Sequence, residues 1–246
     1  QAMPAASRPD KHTVIVPFSL VTGDWIIFNV LDLADHLTID FSLGDFPKQI
    51  LLNGSNPTTG SGDWLTLTGG VEFTTVAHTF TNASDGSIDV TGSESISYTG
   101  LEPIDDNLSA TNRIFHFNSA AGTITLGDDE TVADDKSRIT SASSEVVTFK
   151  NPTTSLTINA GSGDNTIDLD GYDSVFNTTT IVVNGEDGQD TLNINHLLGL
   201  SADLSGILSN ALLSIQGLPS VGYSAIENLN IDLGSGNDTM VVQSTS

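Results

Sequence analysis

Apolar residues recur at every second position in short runs along this chain, and clusters of turn-forming residues separate the runs. Such alternation is the signature of half-buried strands. The runs are TVIVPF (13–18), LTIDFSL (37–43), WLTLTG (64–69), TITL (123–126), EVVTF (145–149), LTIN (156–159), TIVVN (180–184), TLNIN (191–195) and LNIDL (229–233). Between them lie turn clusters such as NGSNPTTGSGD (53–63), NASDG (82–86) and GSGDN (161–165). Residues 71–104 read as a hairpin followed by another strand, because Asp85-Gly86 is a turn pair. Only 197–215, LLGLSADLSGILSNALLSI, also reads as a helix; Gly199, Gly206 and its serines favour an irregular loop or a strand pair there.

The turns carry a period. NAGSGDNTIDL (159–169), NGEDGQDTLNI (184–194) and DLGSGNDTMVV (232–242) each follow a strand, carry spaced glycines with acidic residues, and restart a strand at Ile167, Leu192 and Met240. The first two of these are 25 residues apart and the last two 48. That spacing predicts coils of roughly 24 residues, with one unmarked coil in between whose degenerate turn is Gly217–Val221. Coils of this length predict an all-β parallel β-solenoid, in which each coil buries its apolar edge only by stacking on the next. A β-sandwich is the alternative, since it also gives many short alternating strands. The expected organisation is an N-terminal β region over 1–104, coil-like and carrying the 71–104 hairpin as an antiparallel elaboration or seam. A C-terminal solenoid over 105–246 follows.

Composition narrows the function. Thirty-one acidic residues face seven basic ones, for a net charge of −24, and there is no cysteine. Disulfide scaffolds, thiol enzymes and cysteine-ligated zinc are excluded. A polyanion is repelled by phosphate, so neither nucleic acid nor an anionic membrane surface is an expected partner. Pro17, Gly23, Asp24 and Asn29 interrupt the one apolar stretch near the start, so no membrane insertion is expected. QAMPAASRPD has no apolar core for a signal peptide, which predicts a chain that is processed or cut from something longer.

The turns suit a hard cation. Glycines let backbone carbonyls turn inward and aspartates add charged oxygens; Ca²⁺ takes about six to eight such ligands and tolerates irregular geometry. The candidate metal ligands are Gly161, Gly163, Asp164 and Asn165 in the first turn and Gly185, Asp187, Gly188 and Asp190 in the second. The third offers Gly234, Gly236, Asn237 and Asp238. An ion there would staple neighbouring coils.

GSGDNTI, NGEDGQDTL and GSGNDTM resemble the hemolysin-type repeats-in-toxin calcium motif, Gly-Gly-x-Gly-x-Asp-x-apolar-x, which forms parallel β-rolls. In the third copy Gly234, Gly236, Asp238 and Met240 match, with Leu233 in place of the first Gly. In the first, Gly161, Gly163 and Ile167 match, with Asn165 at the Asp position and Ala160 at the first Gly. In the second, Gly185, Gly188, Asp190 and Leu192 match with one residue inserted. The family repeats its motif in tandem every nine residues, whereas these copies stand apart. NASDGSIDVTGSESISYTGLEPI (82–104) and the stretch 123–169 also resemble repeat units of giant secreted or surface-anchored bacterial proteins of planctomycete-like type. That resemblance implies extracellular location and repeat architecture.

No catalytic signature accompanies the turns. Gly-x-Ser-x-Gly, His-Glu-x-x-His and a phosphate loop are absent. DLDGYD (168–173) lacks the closing Glu of an EF-hand. His12, His36, His78, His116 and His196 are scattered, and of the basic residues only Lys136 and Arg138 lie close together. A polysaccharide lyase needs basic groups near its acidic substrate, so a glycosidase carboxylate pair is the only enzyme reading left open. Trp25 and Trp64 both follow Gly-Asp, which predicts equivalent turns and a buried, coil-stacking role over sugar stacking. The expected function is a non-catalytic structural or adhesive module on a bacterial surface, partnered by flanking repeats or other copies and by surface glycans. A self-assembling filament or surface-layer subunit, and a carbohydrate-active β-helix, are the alternatives.

Overall fold

A computed structural model describes residues 20–30, 34–54, 62–118, 122–131, 133–171, 179–195 and 202–243. The strand expected at 13–18 lies outside these residues, as do 55–61 of the first turn cluster, 172–173 of DLDGYD, 197–201, His12 and His196.

The protein is all-β, and the chain shuttles between two sheets. β1 (Trp25–Asn29) opens a twelve-stranded sheet and β2 (His36–Asp40) a nine-stranded one; β3 (Gln49–Asn53) returns to the first and β4 (Asp63–Thr68) to the second. An antiparallel meander in the larger sheet follows: β5 (Phe73–Phe80), β6 (Gly86–Val90) and β7 (Ile96–Thr99). β8 (Leu101–Asp106) crosses to the smaller sheet and β9 (Ala110–Phe117) crosses back. A second meander, β10 (Thr123–Asp128), β11 (Lys136–Ser141) and β12 (Ser144–Lys150), occupies the smaller sheet. β13 (Ser155–Asn159), β14 (Thr166–Leu169), β15 (Thr180–Asn184) and β16 (Thr191–Ile194) then alternate as single strands. The third meander, β17 (Ser205–Leu208), β18 (Leu212–Ile215) and β19 (Val221–Ser224), lies in the larger sheet. β20 (Asn228–Ile231) and β21 (Thr239–Val242) end the smaller and larger sheets.

Outside the meanders every strand pairs in parallel with its neighbours, as in β13·β15 and β14·β16. Ile167 lies beside Leu192 and Leu169 beside Ile194, all four fully buried. Their alternation with polar residues fixes the register, because a one-residue slip would turn the whole apolar set to solvent. The inward residues of both sheets form one continuous core running from Ile39 to Val221. Each Val, Leu or Ile buried there contributes about 1.5–3 kcal/mol. On the outer face, side chains stack in hydrogen-bonded ladders: the Asn184 amide donates to Asn159 Oδ1 (2.7 Å), and Ser224 Oγ donates to Asn184 Oδ1 (2.8 Å). A second ladder joins Asp168, Asn193 and Asn230.

The expected strands at 64–69, 123–126, 145–149, 156–159, 180–184, 191–195 and 229–233 all form within a residue or two, and the one expected at 37–43 forms over 36–40. Residues 71–104 form the expected hairpin and third strand. Over the described part of 197–215, β17 and β18 are an antiparallel strand pair. The line drawn between 104 and 105 falls inside β8, and both sheets run across it.

Two expectations are corrected. The step from the first turn to the second is 25 residues, but the 48-residue step to Met240 is not two coils. Leu192 instead pairs with Leu229, the third meander fills the interval, and Met240 sits in the other sheet beside Gly206. Gly217 serves the tight connection from β18 to β19 at φ +82°, where Leu218 N–H donates to Ile215 O. The two tryptophans are likewise not equivalent. Trp25 lies in the larger sheet and Trp64 in the smaller, and they are 47% and 43% exposed, so neither is a buried stacking residue. Trp64 packs on His36 of the neighbouring strand, with ring centroids 4.6 Å apart.

Candidate functional site

The turn glycines and acids meet as the spacing predicts for the first two turns. Gly163 N–H donates to Asp187 O (2.7 Å), Gln189 N–H to Asp164 Oδ1 (2.9 Å), and Asn165 N–H to Asp190 Oδ1 (2.8 Å). Each turn thus gives a carboxylate to a backbone N–H of the other. Gly163, Asp164, Asn165, Asp187, Gly188 and Asp190 meet in this stacked pair, whereas Gly161 abuts Phe117 O and Gly185 abuts Ala225 O.

The third turn repeats the geometry on a different support. Asn237 N–H donates to Asp203 Oδ1 (2.8 Å) and Leu204 N–H to Asp238 Oδ1 (2.8 Å). Gly234, Gly236, Asn237 and Asp238 therefore stack on residues 202–204, apart from the second turn. A Cβ on Gly188 would lie 2.2 Å from Gly163 O, and one on Gly236 the same 2.2 Å from Ala202 O. Gly188, Gln189 and Asp190 are thus the structural equivalents of Gly236, Asn237 and Asp238, although β16 and β21 lie in different sheets.

The same clasp recurs beyond the motif copies. In each case a side-chain oxygen accepts the N–H of the residue beneath it, and the next residue's N–H donates to that lower residue's carbonyl. Asp63 clasps Asp35, Asn165 clasps Gly122, Asp190 clasps Asn165, Glu227 clasps Asp190 and Asp238 clasps Leu204. The accompanying backbone bonds from Trp64, Thr166, Thr191, Asn228 and Thr239 measure 2.8–2.9 Å. The Asp position of the calcium-like motif is therefore a turn-to-turn acceptor, and Gly122, Asn165, Asp190 and Glu227 form one continuous column.

Whether the turns fit Ca²⁺ depends on what their oxygens already do. In the first turn the Asn165 amide donates to Gly163 O (2.9 Å) and Gly161 O (3.4 Å), so an N–H group faces the carbonyls a cation would take. The first turn does not fit. At the second, Asp190 is fully buried and its Oδ2 has no protein partner. Burial, with the charges of Glu227 and Asp164 beside it, holds the Asp190 carboxyl above the usual carboxylate range against the pull of the Asn165 N–H. Among the described residues no three His, Asp or Glu side chains converge as a metal site.

Two groupings escaped the sequence reading. Inside the core, Arg113 of β9 pairs with Asp106 of β8, and its other nitrogens donate to Leu108 O (2.8 Å) and Lys150 O (3.1 Å). His78 Nε2 meets the same Asp106 Oδ2 at 2.9 Å, and all three side chains are fully buried. Burial holds His78 below its ordinary pKa, hence neutral, with Nε2–H donating and Nδ1 unpartnered between Phe80 and Phe115. Burial drives Asp106 up, but Arg113, His78 and the Leu108 N–H together outweigh it, so it stays ionised. This trio ties the two sheets together.

The second grouping is at the surface. Glu102 and Glu145 line one cavity of about 430 Å³. Glu145 is 2% exposed, its Oε1 has no protein partner, and burial with the charges of Glu102 and Asp85 pushes it up to about 8. The signal for it was a carboxylate at the head of the run EVVTF, where alternation with Val147 and Phe149 sets its side chain on the core-facing side.

No family model matches this chain, and neither a curated protein nor a solved structure is significantly similar to it.

Proposed function

We propose that this chain is a non-catalytic β-solenoid module of an extracellular bacterial surface protein, with a rod-like structural or adhesive role. The turn clasp carries the reading: five times, an acid or amide is spent on joining one rung to the next. Aligned side-chain ladders and a continuous core spend the rest of the sequence the same way, on stacking. A net charge of −24 suits a saline medium, where charges are screened beyond about 8–10 Å. Antibody labelling of intact source cells, with and without protease shaving, tests the location; a signal only after lysis overturns it. Light scattering of the purified chain separates a module, which is monomeric, from a filament subunit, which grows with concentration.

A calcium-stapled version is the second reading, favoured by the buried, unpartnered Oδ2 of Asp190 beside Asp164 and Glu227. Thermal melts in millimolar Ca²⁺ and in chelator decide it. A calcium-dependent rise in Tm that Asp190→Asn abolishes supports the ion; equal Tm values leave the hydrogen-bonded clasp alone.

A further inference from the structure

Two β-bulges lie side by side where β8 and β12 run parallel. Asp63 pairs with Leu101 and Leu65 with Ile104, so Trp64 of β4 faces the two residues Glu102 and Pro103. Ile139 pairs with Val147 and Ser141 with Ser144, so Thr140 of β11 faces the two residues Glu145 and Val146. Val147 is beside Ile104, which sets Glu145-Val146 next to Glu102-Pro103. An extra residue in a strand re-aims its side chains, and doing so twice in register is a local departure from the plain ladder. The result is the 430 Å³ cavity, with Pro103, Val146, Ala83 and Ala142 as apolar wall and the two glutamates as its acid.

Among the described residues no ion pair joins either glutamate to a basic side chain. Lys136 and Arg138 on the flanking β11 are engaged with Asp105 and Glu130. Asp85, in the β5–β6 turn, adds a third negative group, although its own oxygens accept from Gly100 N–H and the Asn82 amide. Tyr98 of β7, buried with its hydroxyl unpartnered, is also under the influence of Glu145 and Asp85. Like charges left together in a half-dry site cost free energy that a bound cation recovers. Among the described residues no three His, Asp or Glu side chains converge as a metal site, and the apolar wall of the cavity suits an organic cation.

We propose that this cavity binds an alkylammonium or alkylguanidinium group, its aliphatic stem against Pro103 and Val146 and its cationic head on Glu102 and the buried Glu145. The source is either a lysine or arginine side chain of a partner or a free polyamine. This inference does not depend on the solenoid role. Bound cation favours the ionised Glu145, so affinity rises with pH until that carboxyl has lost its proton.

Amide NMR titrations of the full chain in 0.15 M salt test it. The probes are cadaverine, Nα-acetyl-lysine methylamide, Nα-acetyl-arginine methylamide, the neutral Nα-acetyl-norleucine methylamide, and a neutral oligosaccharide. The cationic probes are expected to saturate and to shift Ala83, Ala142 and Val146, weakening up to about tenfold per pH unit below 8. Tighter binding of cadaverine points to a free polyamine, and tighter binding of the capped amino acids to a partner side chain. Glu145→Gln, which mimics the neutral carboxyl and keeps the fold, is expected to weaken binding about tenfold or more, and exposed Glu102→Gln likewise. Norleucine or oligosaccharide binding as well as the cations, affinity unchanged in Glu145→Gln, displacement by equimolar Ca²⁺, or unsaturable shifts over the whole acidic surface would each overturn the proposal.

Discussion

Asn165 and Asp190 hold the same position in successive turns, and each accepts a backbone N–H from the turn below, one through an amide oxygen and the other through a carboxylate. An amide therefore does the work at one level that a charge does at the next. Asp190 is the more strained of the two, since burial and the neighbouring Glu227 and Asp164 disfavour its ionised form. Asp190→Asn keeps the acceptor and removes the charge, so stability is expected to stay level or rise by up to about 1 kcal/mol. Asp190→Ala leaves the buried Asn165 N–H without its acceptor and is expected to cost about 1–3 kcal/mol. Urea unfolding in chelator-treated buffer reads both values. A loss in the Asn variant as large as in the Ala variant would refute a clasp made by hydrogen bonds.

A Cβ on Gly188 or on Gly236 would meet the carbonyl beneath at one distance, so a methyl group should harm both turns, Gly188 being strained further by its φ of +142°. At 2.2 Å from a backbone oxygen, a Cβ forces the turns apart and breaks the neighbouring clasp. Gly188→Ala and Gly236→Ala are each expected to cost about 2–3 kcal/mol or more. Gly217→Ala has open space around it and only a left-handed φ to strain, so about 1 kcal/mol is expected. Thermal melts of the three variants give the ranking; equal losses would remove close approach as the cause.

Much of this fold is legible in the residues because parallel stacking writes itself into local pattern. Ile167 and Leu192 each begin a strand after a glycine turn, and their 25-residue spacing is the register seen. The meanders were less legible: a three-stranded insertion shifts the period, so the 48-residue step to Met240 looked like two coils while Leu192 in fact pairs with Leu229. The aspartates stand out in the sequence as oxygen ligands, whereas a carboxylate accepting an N–H from another turn has no local signal of its own. Arg113 was invisible for a related reason. Its partner Asp106 lies in the opposite sheet, and only the fold brings a lone basic residue and an ordinary-looking acid into one buried pair. Glu145 shares the inward face of Val147 and Phe149, so alternation carries its burial; what has no local signal is the neighbouring bulge in β8, which brings Glu102 beside it.

That buried pair makes a sharp mutational prediction. Arg113→Met removes the cation and leaves Asp106 ionised, dry and short of partners, which costs about 3–5 kcal/mol. Adding Asp106→Leu removes the stranded charge, so the double variant is expected to be more stable than Arg113→Met alone. The coupling is measured by a double-mutant cycle in urea. Strictly additive losses would mean that Arg113 acts only through its packing on Phe149, over which its guanidinium sits at 5.4 Å.

Glu145 gives the fold a pH dependence of unusual sign for a carboxylate. In the folded chain its pKa lies near 8, against 4.5 for the free side chain, so the folded state holds a proton that the unfolded state has released. Its contribution is fully present below about pH 4.5 and is lost as pH rises toward 8, at up to about 1.4 kcal/mol per unit. His78 works in the opposite direction. Held neutral in the fold, it favours unfolding as pH falls below its ordinary value of 6.5, where the unfolded chain takes up a proton. Stability is thus expected to peak in mildly acidic solution and to decline toward pH 8. Glu145→Gln, uncharged throughout, is expected to flatten the alkaline limb and leave the acid limb in place. Urea midpoints from pH 4 to 9 read the two limbs separately, and an alkaline decline that survives in Glu145→Gln would assign it to some other group.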